Sequence, residues 1–162
     1  MAIIRLNNQS ISSVTALPNL ASLPSGITTG KILQVKTTGH LGTTQLTTAS
    51  TVDITNASLT ITPSSTSSKI FCLVGGNTYK LNASNSWHYC VLWRSGIGSA
   101  TSLFSQQLGG YDDTGQETNA IQINYTDSPS TTSELTYYLK GTNNYAISVN
   151  YNPCLTLFEI GE

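Results

Sequence analysis

From Gly30 onward the chain is a succession of short alternating runs broken by turn residues, and this pattern restricts the fold more than any other feature. GKILQVKTT, TQLTT, TVDITNASLTITP, KIFCLVGGNTYKL, SWHYCVLWRSG, SLFSQQL, NAIQINYTD, ELTYYLKG, NYAISVNY and CLTLFEIG place apolar or β-branched residues at a period of two, separated by Gly, Asn, Asp, Ser and Pro. Alternation of this kind marks half-buried strands, because successive side chains of a strand point to opposite faces. No segment sustains a period of 3.6. The pattern therefore predicts about nine or ten strands and an all-β domain.

The alternation also divides dry faces from wet ones. In NAIQINYTD, Ile121, Ile123 and Tyr125 oppose Gln122, Asn124 and Thr126, and Tyr145, Ile147, Val149 and Tyr151 alternate with Ala146, Ser148 and Asn150. Leu59 and Ile61 alternate with Ser58, Thr60 and Thr62. Two sheets meeting across such dry sides make a β-sandwich, and eight or more strands of this length predict a jelly roll. WHYCVLWR differs, since Trp87, Tyr89, Val91 and Trp93 share one side while His88, Cys90, Leu92 and Arg94 share the other. Such a strand is central or covered on both sides. Trp87, Tyr89, Leu92 and Trp93 are accordingly the candidate oligomer interface.

One phrase occurs twice. TPSSTSSKIFCLV begins at Thr62, and TDSPSTTSELTYYL begins at Thr126. Proline cannot donate to a ladder and drives the residue before it to extended geometry, so Pro63 and Pro129 end pairing. The hydroxyl run that follows closes a turn through side-chain to backbone bonds, and a new strand starts at Lys69 or Glu134. Both phrases are predicted to be the same connection, used at related corners of the sandwich.

The surface available to such a fold is neutral. Only 9% of the 162 residues are charged, against about a quarter in an average soluble domain, and Ser and Thr supply roughly a quarter of the chain. The formal net charge is −1, and Arg5, Lys31, Lys36, Lys69, Lys80, Arg94 and Lys140 are scattered. Nucleic-acid binding needs a basic cluster, so nucleic acid is not an expected partner. No apolar stretch approaches a membrane span, and MAIIRLNN is not followed by a signal-peptide cleavage pattern. The expectation is a protein made in the cytoplasm, with no membrane partner.

The first 29 residues read differently. Ile3, Ile4, Leu6, Ile11, Val14, Leu17, Leu20 and Leu23 are spread with no lasting period. Residues 1–29 are therefore predicted to be an extended arm whose apolar side chains dock in a groove of a larger assembly, and residues 30–162 the β-sandwich domain.

The search for chemistry finds no active site. A serine nucleophile needs a base and an oxyanion site, and no G-x-S-x-G elbow occurs. His40 lies in TTGHLGTT and reads as a solvated loop residue; His88, between Trp87 and Tyr89, reads as a packed or interface histidine. Asp112, Asp113 and Glu117 form the one acidic concentration, but their spacing is not that of an EF-hand loop. Cys72, Cys90 and Cys154 are widely spaced within apolar strand patterns and read as buried free thiols. The Asn-x-Ser/Thr triplets at Asn8, Asn56, Asn82 and Asn124 are chance matches in so hydroxyl-rich a chain. The expectation is no enzyme, no metal and no cofactor.

IIRLNNQSISSVTALP, GKILQV, TPSSTSSKI, DSPSTTSELTY and LTLFEIGE together make the chain similar to a group of short virion proteins from tailed phages of aquatic bacteria. The resemblance implies a compact, trimeric β-sandwich or jelly roll in the virion, with its N-terminal arm docked on a larger assembly. The partner would be the major capsid protein or a tail adaptor of the same particle. With no collagen-like, coiled-coil or β-helical shaft in the sequence, a head decoration or cement protein is the first expectation. A tail-fibre or receptor-binding component is the alternative, with Tyr79, Tyr111 and Tyr138 stacking on host glycan and GGYDDTG as a loop tip. A polysaccharide depolymerase would need paired carboxylates in a groove.

Overall fold

The computed structural model describes residues 30–39, 43–47, 49–81, 87–109, 116–143 and 148–161. They form nine strands: β1 (Lys31–Thr37), β2 (Thr44–Leu46), β3 (Thr51–Ile61), β4 (Lys69–Lys80), β5 (His88–Ser95), β6 (Thr101–Leu108), β7 (Glu117–Asp127), β8 (Leu135–Asn143) and β9 (Val149–Gly161). The all-β expectation holds. One sheet has the order β1-β9-β4-β7, with β2 also on β9, and the other has the order β3-β8-β5-β6.

The pairings are nested. β1 lies on β9, β3 on β8, β4 on β7 and β5 on β6, every pair antiparallel. The chain is thus a long ribbon folded double, with the β5–β6 turn as its closed end. Wrapping the ribbon brings β9 beside β4 and β8 beside β5, completing one five-stranded and one four-stranded layer. This is the jelly-roll arrangement of two sheets built from nested Greek-key connections.

Alternation becomes burial as the sequence implies. Ile70, Cys72 and Val74 of β4, Ile121 and Ile123 of β7, and Leu155 and Leu157 of β9 face Leu92, Leu135, Tyr137 and Leu139 across the sandwich, all in one buried cluster. In β3 the ladder breaks, because Ile54 to Ala57 stand against Leu139 alone between the Asp53–Lys140 and Ser58–Tyr138 pairs. Asn56 takes φ 60° within this bulge, and Ile54 and Ala57 both turn into the core.

The two Ser/Thr phrases lie on one side of the molecule. β3 pairs with β8 and β4 with β7, so the β3–β4 corner and the β7–β8 corner run antiparallel as the two rails of one ribbon crossing between the sheets. Each corner is fixed by an ionised group of the sandwich. At the first, Ser64 donates its backbone N–H and its hydroxyl to Glu159 Oε1, both at 2.6 Å, and Gln34 Nε2 donates to Oε2 at 2.6 Å. At the second, Arg94 holds both oxygens of Asp127, at 2.9 and 2.6 Å, and the Tyr137 hydroxyl donates to Oδ2 at 2.7 Å.

One expectation is corrected. NYAISVNY and CLTLFEIG are not two strands separated at Asn152–Pro153; Val149 to Gly161 is one strand, in unbroken register with β4. Thr38 N donates to Leu155 O, so the odd-numbered peptide groups of β9 face β1 and β2. Pro153 lies in that phase, and the residues opposite it between β1 and β2 lie outside the described ones. On the other side it pairs with Gly76, where a Cβ would stand 2.3 Å from Asn152 O. The strand continues through proline because Gly76 makes room for it.

Candidate docking surface

β9 and β4 carry apolar side chains on both faces. Their inner residues fill the core, while Phe71, Leu73, Phe158 and Ile160 lie on the outer face together with Ile32 and Val35 of β1. The register explains the grouping, since Ile32 pairs with Ile160, Val35 with Phe158, and Phe158 with Phe71. The Phe71 and Phe158 rings stand 6.0 Å apart at 39°, and a wholly apolar depression of about 250 Å³ is lined by Ile32, Phe71, Leu73, Phe158 and Ile160. Ile32 is 58%, Val35 51% and Leu73 38% exposed. Val52, Ile97 and Phe104 are also exposed elsewhere, but this is a contiguous dry strip of the kind that marks an interaction site. Cys154 lies further along the same face, half-buried and free.

The outer face of the other sheet is built differently. Trp93 and Tyr138 are paired across β5 and β8 and stack at 6.4 Å and 25°. The Lys140 ammonium lies 5.0 Å from the Trp93 ring centre and 5.6 Å from that of Tyr138, held there by Asp53 at 3.1 Å. Cation–π contact therefore already occupies the ring faces. Beside them the β3 bulge leaves an open groove of about 420 Å³, with Asp53, Asn56, Ser58, Thr136 and Tyr138 among its walls.

The candidate interface residues separate. Trp87, Tyr89 and Trp93 are half-buried, and the latter two lie on this outer face. Leu92 does not join them: it is 0% exposed and packed between the sheets, because the even-numbered residues of β5 point inward. It is removed from the candidate interface. The arm residues Ile3, Ile4, Leu6, Ile11, Val14, Leu17, Leu20 and Leu23 lie outside the described residues, as do His40, Tyr111, Asp112 and Asp113.

His88 is buried, with Nε2 2.9 Å from the Thr78 hydroxyl and its ring edge-on to Tyr151. Burial, aided by nearby Lys80, lowers its pKa to about 4, so it is neutral at physiological pH. Glu117 lies 3.5 Å from the Lys80 ammonium, and Tyr79 donates a hydrogen bond to Gln116. Cys72 and Cys90 are buried free thiols, pushed up to about 12, in both by burial and in Cys72 also by Asp127. Among the described residues no three His, Cys, Asp or Glu side chains converge as metal ligands do.

Sequence reasoning missed the apolar strip. The signal was present, since KIFCLV and TLFEI place large apolar residues on both faces of their strands, as a doubly covered strand does.

No family model matches the chain, and no curated protein matches it. Among solved structures, it is similar to the VP2 subviral particle of infectious bursal disease virus, at 11% identity and a TM-score of 0.49 over 77% of this chain. It is also similar to the icosahedral particle of the same virus, at 11% identity and a TM-score of 0.47 over 80% of this chain. The chain spans about a third of the length of those proteins, 32% and 31% respectively.

Proposed function

We propose that this chain is a non-enzymatic structural protein of a virion, and specifically a decoration or cement protein that joins the head and reinforces it. The observation that carries the reading is the apolar strip of β1, β9 and β4, placed where residues 1–29 run into the sandwich. Strip and arm together offer an apolar contact to a lattice of capsid subunits, while the rest of the surface stays neutral. Because little of that contact is ionic, its strength should depend little on salt. The resemblance of both chain ends and both Ser/Thr corners to phage virion proteins supports the same reading. Its partners are the major capsid protein and further copies of itself as a homotrimer, with no role for nucleic acid or membrane.

The groove beside the β3 bulge favours a second reading, a tail-fibre component that binds glycan. Asp53, Asn56, Ser58 and Thr136 present hydrogen-bonding groups there, beside the Tyr138 ring. Quantitative mass spectrometry of purified virions separates the two. A copy number equal to that of the major capsid protein, or a simple fraction of it, is expected for a decoration protein; a handful of copies would move the chain to the tail. Removal of residues 1–28 should leave a folded sandwich that no longer joins particles.

A further inference from the structure

Among the described residues nothing covers the apolar strip, and the chain itself carries a segment placed to do so. We propose that in the free protein residues 1–29 lie across the outer face of β1, β9 and β4, seated on the strip of the same chain. The inference concerns the protein before assembly, so it stands or falls separately from a role on the head.

Continuity of the chain is the first argument. Gly30 already packs on the strip, since a Cβ there would stand 3.2 Å from Ile160 Cγ2. Two residues later Ile32 is part of the lining. The segment therefore begins at the edge of its seat and needs no linker, which gives it a high effective concentration relative to any separate partner. Composition is the second. Residues 1–29 bring Ile3, Ile4, Leu6, Ile11, Val14, Leu17, Leu20 and Leu23, with Arg5 as their one charged side chain. They are as rich in side chains needing cover as the strip is in side chains needing a lid.

The third argument is the state of β1. Six of its seven residues are exposed, and Leu33, in the irregular stretch between Ile32 and Gln34, is 41% exposed. An edge strand carrying Ile, Leu and Val in the open is an aggregation template unless something lies over it. A segment leaving that same strand is the occupant closest to hand.

The test is limited proteolysis by thermolysin, which cleaves beside large apolar residues, with sedimentation to define the oligomeric state. Digestion of the full chain is compared with that of a synthetic peptide of residues 1–29 and of the Leu73→Asp full chain. Leu73 is already partly exposed, so the charge should be tolerated, and circular dichroism checks that the variant is folded. The expected result is that residues 1–29 of the intact monomer are cut at least about tenfold more slowly than the peptide, a protection of about 1.4 kcal/mol. In Leu73→Asp most of that protection is lost. Cleavage of the intact chain at the peptide's rate would overturn the proposal. So would protection unaffected by Leu73→Asp, which would place the segment elsewhere. Protection found only in an oligomer would assign the seat to another copy's segment and also overturn it.

Discussion

Glu159 is 0% exposed at the first Ser/Thr corner, and replacing it with Gln isolates what its charge contributes. Burial opposes ionisation, but the hydrogen bonds from Ser64 and Gln34 outweigh it and bring the pKa from 4.5 down to about 2. The carboxylate accepts three bonds of 2.6 Å. A hydrogen bond to an ionised group contributes about 1.5–3 kcal/mol and a neutral one about 0.5–1.5, so neutralisation costs about 1 kcal/mol at each. The amide also places a donor against either the Ser64 N–H and hydroxyl or the Gln34 Nε2, and Gln34 Nε2 is already engaged with Thr62 O at 2.8 Å. Glu159→Gln should therefore lose at least about 3 kcal/mol at pH 7, a large fraction of the 5–15 kcal/mol typical of a domain.

The pH dependence supplies the control. A carboxyl whose folded-state pKa is depressed contributes stability that is present above its unfolded value and lost as pH falls through the folded one. The stability gap between parent and Glu159→Gln should thus be constant above about pH 5 and shrink between 4.5 and about 2. Urea unfolding of both proteins across that range measures it, and other carboxylates cancel in the difference. A gap near zero at pH 7, or one that persists unchanged at pH 2, would refute the assignment of charge-assisted bonds to this corner.

The second corner should be more sensitive to loss of its cation. Arg94→Leu leaves the Asp127 carboxylate, 6% exposed, without the Nη1 donor that reaches both its oxygens and should cost about 3–5 kcal/mol by urea unfolding; Tyr137→Phe removes one donor and should cost about 1.5–3 kcal/mol. Stability should also fall as pH drops from 6.5 towards about 4, because unfolded His88 takes up a proton that the buried ring excludes. The difference in stability between the parent and His88→Leu should slope across that window.

Much of this fold could be read from periodicity alone. Eight of the nine strands correspond to separate alternating runs, and both Ser/Thr phrases fall between strands, but the corners are not the same connection: Ser68 N donates to Ser65 O in the first, whereas the second carries Ser130 at φ 52°. Their hydroxyls do more than close turns, however. Ser64 answers a carboxylate on β9, 95 residues away along the chain, and no local pattern could identify that partner. Pro153 misled for a related reason. Proline excludes itself from a ladder only where a neighbouring strand needs its N–H, and on the β4 side Pro153 meets Gly76, a distant glycine whose missing side chain leaves it room.

Candidate surfaces were harder to read than the core, and β4 and β5 show why. Both carry apolar residues on two faces, and such a pattern says that a strand is covered twice without saying by what. For β5 the inner cover is the opposite sheet, which takes Leu92 out of any interface. Its outer face is closed locally, where Lys140 of β8 lies over the Trp93 ring of β5 and the Tyr138 ring of its own strand. For β4 the outer Phe71 pairs with Phe158 of β9, and Leu73 lines the same apolar depression with Ile32 and Ile160. A surface of hydroxyls and amides can be hydrated anywhere, so function in such a chain is placed by where hydration fails. In this sandwich the face beside the start of β1 gathers Ile32, Leu33, Val35 and Leu73, four of the large apolar side chains exposed among the described residues.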